Sequence, residues 1–379
     1  MTPMTSTKRS LDKLKIACVY DWFDSKGGAE RVLPTIAHMF PHADWYSSIV
    51  QKNYSLGLKV TPSFIQNLPY LRSHRLAAMP LYPVAFESFD FTGYDLVLSI
   101  TSSFAKGVIT RPETTHICYM LTPTRFLWGL DEHYTSPLTK SLFKPYISYL
   151  KKWDLCAAER PDHYIAISHT VADRIQEYYK KDASVIYPPF SIPYWEEQLR
   201  RAEPPAKPLA DGYYIVVSRL TKYKCVDLVV RAFNKLRHRQ LVIVGSGSEK
   251  SRLQSMASEN IHFLENVTDK QLAFLYAHAK GCIMPQEEDF GYTSLEAQLC
   301  SCPVIAFNKG GARETVKHLK TGFLFDEQTP HGIILALESF EGVSATIDHH
   351  LQAYGSHIVE PFSESLFIEA FIKKIQSLI

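Results

Sequence analysis

Apolar residues are spaced in two recurring ways along the chain. In its second half, short apolar runs rich in β-branched and aromatic residues recur at YYIVVSRL (213–220), LVIVGSG (241–247), HFLENV (262–267), GCIMP (281–285), PVIAF (303–307) and GFLF (322–325). Between them lie stretches with apolar positions three and four apart, such as CVDLVVRAFNKLRH and DKQLAFLYAHAK. Runs that stay apolar without polar alternation predict strands covered on both faces. Their alternation with helical spacing predicts parallel sheets between helical layers. The first half shows the same rhythm less regularly: KIACVYD (15–21), DLVLSI (95–100), HICYML (116–121), HYIAIS (163–168) and ASVIYPP (183–189). Its longer Pro- and aromatic-rich intervals are 52–90 and 122–153.

The two halves are separated by PPFSIPYWEEQLRRAEPPAKPLADG (188–212), which holds six prolines and several charges, a linker composition. A chain of 379 residues also exceeds what one core usually supports. The expected fold is therefore α/β, with two Rossmann-like doubly wound domains facing each other across a cleft. The expected divisions are an N-terminal arm (1–14), a first domain (15–190), a linker (191–212) and a second domain (213–355), followed by a terminal segment (356–379). Ligands of such sheets bind outside the carboxyl ends of the strands. Asp21, Arg219, Gly245, Gly247 and the EDFG segment after GCIMP fall at those ends.

Composition narrows the classes. With 46% hydrophobic and 21% charged residues the chain reads as an ordinary globular protein. A net charge of +2, from 41 basic and 39 acidic residues, makes no case for nucleic-acid binding. No stretch of 18 uninterrupted apolar residues predicts a membrane span. MTPMTSTKRSLDKLK lacks the apolar core of a secretory signal. The seven cysteines (18, 118, 156, 225, 282, 300 and 302) form no C-x-x-C pair and lie mostly in apolar runs. They read as reduced thiols of a cytosolic protein.

Several motifs carry candidate chemistry. KGGAER (26–31) follows the first strand and opens a helical pattern; paired glycines let a backbone approach a ligand, and a helix start offers amides to an anion. The bland alternative is an ordinary tight turn. VGSGS (244–248) has the same setting, but Lys250 stands where a dinucleotide fingerprint needs its third glycine, so a nicotinamide cofactor is disfavoured. The chain contains no G-K-[ST], no Asp-x-Asp and no H-E-x-x-H. A diphosphate would then need protein cations, and SRLTKYK supplies Arg219 at a strand end and Lys224 in the following loop. EDFGYTSLE (288–296) sets Glu288 and Glu296 eight residues apart. Thr293 and Glu296 also fit a capping box, which would leave Glu296 a purely structural role.

GGAE, SRL-x3-K, VGSGS, EDFGYTSLEA followed by PVIAFNKGGARETV, and TGFLF resemble, in order and spacing, the family-four glycosyltransferases, retaining enzymes of two-domain GT-B architecture. VYDWF-x3-GGAERVL, TPTRFLW (122–128), DHYIAIS-x3-ADRI and VIYPP resemble the branch that includes bacterial O-antigen mannosyltransferases. The resemblance covers about residues 15–340, and PFSESLFIEAFIKKI resembles the terminal helix that crosses back onto the first domain.

The resemblance implies a metal-independent transfer of a hexose, mannose from GDP-mannose or a hexose from a UDP donor, onto a glycan or lipid-linked glycan. The nucleotide-sugar is a substrate and no cofactor is expected. It implies that Glu288 meets the donor sugar and that Phe290, Gly291, Tyr292 and Thr293 border sugar and phosphates. Glu296 would bind the ribose, Arg219 and Lys224 the diphosphate, and Gly245 and Gly247 would border the donor. Asn266 and Val267 would flank the base, and Gly27 and Gly28 would close over the phosphates. Glu288, Arg219 and Lys224 are the catalytic candidates. Asp21, Leu121, Thr122 and Arg125 are candidates on the acceptor side.

Three positions depart from the pattern. Leu121 replaces a histidine facing the sugar, while Ser301 and Asn266 stand where glycine is usual. A sugar-nucleotide 2-epimerase of related fold and a non-catalytic partner subunit are the competing readings. The expected location is cytoplasmic, at the inner face of the cell membrane. LPYLRSHRLAAMPLYP (68–83) and KSLFKPYISYLKKW (140–153) mix basic and aromatic residues in a way that suits peripheral membrane contact, or equally amphipathic core packing with solvated charges.

Overall fold

The computed structural model describes residues 11–24, 27–51, 54–128, 137–206 and 212–379. Most of the expected N-terminal arm lies outside that range. The chain divides into two compact units, one formed by residues up to Pro189 together with Ser365–Ile379, the other by Phe190–Glu364.

The first unit is built on seven strands: β1 (Ile16–Phe23), β2 (Asp44–Val50), β3 (Val60–Pro62), β4 (Leu96–Thr101), β5 (Thr115–Met120), β6 (His163–Ala166) and β7 (Ala183–Val185). Their order is β3-β2-β1-β4-β5-β6-β7, and every pairing is parallel. The second unit carries β8 (Tyr214–Val217), β9 (Leu241–Val244), β10 (Ile261–Leu264), β11 (Gly281–Met284), β12 (Val304–Phe307) and β13 (Gly322–Phe325), ordered β10-β9-β8-β11-β12-β13 and again all parallel. Two doubly wound sheets of the expected α/β class are therefore present. In each, the strand order reverses between the first and fourth strands of the unit, so β1/β4 and β8/β11 are the two switch points.

Two strands of the first unit, β2 and β3, fall outside the expected runs. The run of β2, DWYSSIV, is broken by Ser47 and Ser48, yet both are buried. Their hydroxyls donate to the Asp21 carbonyl of β1, at 3.2 and 2.5 Å, so polar residues here serve the sheet. The stretch read as a linker is also more ordered than its prolines suggest. Ile192–Arg200 is a helix with Pro193 in its first turn, a position where the missing N–H is harmless. It belongs to the second unit and packs on the helices Asp269–Ala277 and Tyr292–Leu299.

The last helix, Glu364–Leu378, buries Phe367, Phe371 and Ile375. Phe367 and Phe371 pack against the Tyr119 ring of β5, with centroids 5.9 and 5.3 Å apart. All seven cysteines are free thiols, Cys156 exposed, Cys225 half-buried and the others buried. No helix among the described residues is long and apolar enough to cross a membrane.

Candidate functional site

In the second unit the candidate residues gather at the β8/β11 switch point. Arg219, exposed just beyond β8, donates from Nη2 to the Tyr223 hydroxyl at 3.2 Å. Lys224 closes the short 3-10 turn Lys222–Lys224, with its ammonium 5.1 Å from the centre of the same Tyr223 ring. Tyr223 thus lies between the two cations.

The glycines of VGSGS have a local explanation. Gly245 and Gly247 adopt φ of +145° and +154°, and a Cβ there would lie 1.9 Å from the Ser218 carbonyl and 2.3 Å from the Leu220 carbonyl. Leu220 N–H bonds the Ser246 carbonyl at 2.8 Å. The glycines let the loop after β9 press on the backbone that carries Arg219, and in doing so they fix that residue.

Beyond β11 the loop turns at Glu288. Its carboxylate Oε1 accepts from the Lys224 ammonium and, at 2.7 Å, from Gln286 Nε2. The two charged side chains are only 12% and 17% exposed. Gly311 N–H holds the Glu288 carbonyl at 2.8 Å, and Gly310, at φ +65°, has no room for a Cβ, which would sit 2.2 Å from that carbonyl. The Phe290 side chain is buried against Tyr292 and Phe362, so only its backbone borders the site. Tyr292 and Thr293 are partly exposed in the first turn of the helix Tyr292–Leu299.

Thr293 does not cap that helix. The N-cap is Gly291, at φ +94°, with no side-chain cap, which corrects the capping-box alternative. Glu296 is therefore one turn inside the helix. It is 2% exposed, and its Oε2 accepts from the Tyr276 hydroxyl at 3.2 Å.

Ser301 and Asn266 adopt φ of +57° and +52°, the left-handed backbone that glycine takes without penalty. At Ser301 the chain makes both bonds of a Schellman ending, Ser301 N–H to Gln298 O at 3.0 Å and Cys302 N–H to Ala297 O at 2.8 Å. Asn266 is exposed and Val267 partly so, in the loop after β10.

The first unit uses its switch point differently. Asp21 is wholly buried. Its two oxygens accept from the amides of Ser102 (2.7 Å), Phe104 (2.9 Å) and Ala105 (2.8 Å), and from the hydroxyls of Thr101 and Ser102. Burial pushes its carboxyl upward, against the pull of these donors. Asp21 was an acceptor-side candidate; the structure instead turns its carboxylate inward, as the anion that organises the loop after β4.

Leu121 and Thr122 are buried beyond β5, Leu121 donating its N–H to the Thr101 carbonyl at 2.8 Å, and Arg125 is partly exposed. Gly28 has ordinary helical φ of −70° and caps the turn Ala29–Val32. A Cβ on Gly27 would meet Glu30 Oε2 at 2.9 Å, and Glu30 in turn accepts from the Tyr20 hydroxyl at 2.9 Å. Lys26 of that motif is outside the described residues.

Several residues escaped the sequence reading. Tyr223 and Gln286 adjoin the charged groups, and a Gly-Gly pair in NKGGARET was the available sign that Gly310 and Gly311 seat the Glu288 loop. In the first unit, Lys106 and Asp154 form a fully buried ion pair at 2.5 Å. Asp154 also accepts from Thr124 (2.8 Å), Trp128 (2.7 Å) and Tyr179 (2.8 Å). This network clamps the TPTRFLW loop, and no sequence signal marks it, because its members are scattered between residues 106 and 179. No group of His, Cys, Asp and Glu among the described residues is arranged to hold a metal.

Residues 199–346, most of the second unit, match the family model for glycosyl transferases group 1. Over 342 residues the chain is 25% identical to the human protein named alpha-1,3/1,6-mannosyltransferase ALG2, covering 82% of this chain and 78% of that one. It is 36% identical over 129 residues to a GDP-mannose-dependent alpha-(1-6)-phosphatidylinositol monomannoside mannosyltransferase of Mycolicibacterium smegmatis, a match spanning 30% of this chain and 34% of that protein. Among solved structures, sucrose-phosphate synthase from Thermosynechococcus elongatus superposes with TM-score 0.73 at 17% identity, covering 96% and 99% of the two chains. Anabaena Alr3699/HepE in complex with UDP and glucose superposes with TM-score 0.65 at 19% identity, covering 96% and 100%. The architecture is that of GT-B glycosyltransferases, and the family model and the relatives agree on glycosyl transfer.

Proposed function

We propose that this glycosyltransferase-like chain is a retaining, metal-independent hexosyltransferase. Its donor is read as GDP-mannose, and its acceptor as a glycan or lipid-linked glycan of surface polysaccharide assembly at the cytoplasmic membrane face. The observation that carries the reading is the convergence of Arg219, Lys224 and Glu288 at the β8/β11 switch point, where doubly wound sheets bind their ligands. Two cations suit a diphosphate whose charge grows as the glycosidic bond breaks. Fixed charges of this kind commonly supply the largest share of catalysis. Glu288 accepts hydrogen bonds from sugar hydroxyls, and Glu296 is assigned to the ribose. The acceptor's proton passes to the leaving phosphate. The choice of mannose is supported by the names of the two relatives above.

The reading extends to an anionic lipid surface. From Phe64 to Phe86 the chain carries Arg72, His74 and Arg75 with no acidic residue, Arg75 being ion-paired to Asp24 just after β1, and Tyr70 and Leu76 are 66% and 81% exposed. On the helix Pro137–Ala157, Tyr149 is exposed while Leu150 and Trp153 are buried. The side chains of residues 140–143 lie outside the described set.

The test is incubation of the chain with labelled GDP-mannose and UDP-hexoses plus a bacterial lipid extract, with and without EDTA. Label appearing in the lipid or glycan fraction, undiminished by EDTA, supports the reading. Epimerised free nucleotide-sugar, or no turnover of any donor, overturns it.

A further inference from the structure

Asp154, wholly buried on the helix Pro137–Ala157, is bonded at both carboxylate oxygens. Its Oδ1 accepts from the Lys106 ammonium at 2.5 Å and the Thr124 hydroxyl at 2.8 Å; its Oδ2 accepts from Trp128 Nε1 at 2.7 Å and the Tyr179 hydroxyl at 2.8 Å. These donors come from the turn Ala105–Gly107 after β4, from the loop after β5, and from the last residue of the helix His169–Tyr179. The loop after β5 is tied twice, at Thr124 and again at Trp128. Between the ties it closes on itself, with the N–H groups of Leu127 and Trp128 bonded to the Thr124 carbonyl at 2.9 and 3.2 Å. Arg125 and Phe126 lie in this interval, both partly exposed.

A buried ion pair is a weak source of stability, because desolvation cancels most of its attraction. What four donors on one carboxylate supply is direction, since each bond fixes where a segment stands. The loop so fixed lies beyond β5, at the end of the sheet where doubly wound domains take their ligands. The donor candidates occupy the second unit, so the ligand left for the first is the acceptor. We propose that Asp154 is a positioning residue for glycosyl transfer: through Thr124 and Trp128 it holds residues 124–128 in the arrangement that seats a glycan acceptor. The inference rests on the transferase reading above and adds to it a residue that acts through the loop alone.

Trp128 and Tyr179 each give one bond to the same oxygen, but only Trp128 belongs to the loop; Tyr179 reaches it by a 3.5 Å approach of the Thr124 N–H to its hydroxyl. Misplacing a substrate-positioning group by about 1 Å commonly costs about 100-fold in rate. Trp128→Phe, which keeps an aromatic ring, should therefore lower transfer of label from GDP-mannose or UDP-hexoses to a bacterial lipid extract by about 10- to 100-fold, and Tyr179→Phe by no more than about twofold. Asp154→Asn should lower it at least as far as Trp128→Phe. Where Asp154→Asn does not fold, the two aromatic variants decide. Thermal transitions should fall alike in Trp128→Phe and Tyr179→Phe, and calorimetry should show wild-type affinity for whichever of GDP, UDP and ADP binds best. Trypsin should cut after Arg125 faster in Trp128→Phe than in Tyr179→Phe. If Trp128→Phe transfers like wild type, if Tyr179→Phe loses as much, or if the loss follows weaker diphosphate binding, the inference is refuted while glycosyl transfer stands. If wild type transfers no label, the transferase reading falls and this inference with it.

Discussion

The two units share a strand order and a switch point, and they fill that switch point in opposite ways. Beyond β8 and β11 the second unit places an exposed arginine, a lysine and a glutamate. Beyond β1 and β4 the first unit places three backbone amides around its own carboxylate, Asp21. Amides converging on an anion are the usual means by which such folds hold a phosphate. In the first unit the protein supplies the anion itself, and the loop becomes a fixed part of the structure. In the second unit the corresponding region sets an exposed arginine beside a lysine and a glutamate paired with each other. One topology therefore yields an internally satisfied loop in one unit and the proposed donor site in the other, and the difference lies in a few residues at the strand ends.

The comparison is most severely tested at Asp21. Asp21→Ala leaves three buried amides and two hydroxyls without their acceptor, and it should lower the stability of the first unit by about 3–5 kcal/mol. Denaturant unfolding followed by tryptophan fluorescence would measure this; a wild-type midpoint would break the comparison. Arg219→Ala is the counterpart in the second unit. It should weaken nucleoside diphosphate binding about 10- to 100-fold, as loss of a charge-assisted contact does, with little effect on the nucleoside or on stability. Equal diphosphate affinity in calorimetry would remove Arg219 from the site.

Acid should also separate the units. His116 of β5 is fully buried, with Nε2 2.9 Å from the Ser99 hydroxyl. Burial, with a smaller contribution from the Arg160 charge, pushes its imidazole down to about 3. The unfolded chain takes up that proton near pH 6.5, so stability falls as pH drops from there toward 3, by about 2 kcal/mol at pH 5. His116→Gln should abolish this part of the acid sensitivity in thermal scans between pH 7 and 5, and an unchanged pH slope would count against it. The smallest effect is expected at Glu296. Its amide variant keeps an acceptor for the Tyr276 hydroxyl, so stability should shift by under about 1 kcal/mol while donor affinity falls about three- to tenfold. Donor affinity equal to wild type would leave Glu296 a packing residue alone. For the lipid surface, sedimentation with anionic vesicles should exceed that with neutral ones, and equal recovery would dispose of that contact.

Most of the second unit was legible because its strands are short uninterrupted apolar runs, and burial on both faces allows little else. The first unit hid β2 because Ser47 and Ser48 are bonded inside the sheet, a satisfaction no periodicity shows. The positions of Arg219 and Glu288 just beyond β8 and β11 were legible from the apolar runs that precede them. The direction of the Asp21 carboxylate was not: a strand-end position does not say whether an acid faces solvent or a ring of amides. Tyr223 and Gln286 belong to residue types that fill many surfaces, and Lys106 and Asp154 meet across 48 residues. The left-handed backbone at Ser301 and Asn266 was legible through the glycines expected there.

The helix Glu364–Leu378 packs on a sheet whose strands end at residue 185. During synthesis, Phe367, Phe371 and Ile375 leave the ribosome only after every residue of the second unit. The later sheet thus has all its own strands and helices while the earlier one waits, with the Tyr119 ring lacking its two aromatic neighbours. Order of manufacture and order of completion are reversed, and a nascent chain passes through an interval in which its oldest strands still lack one of their cover helices.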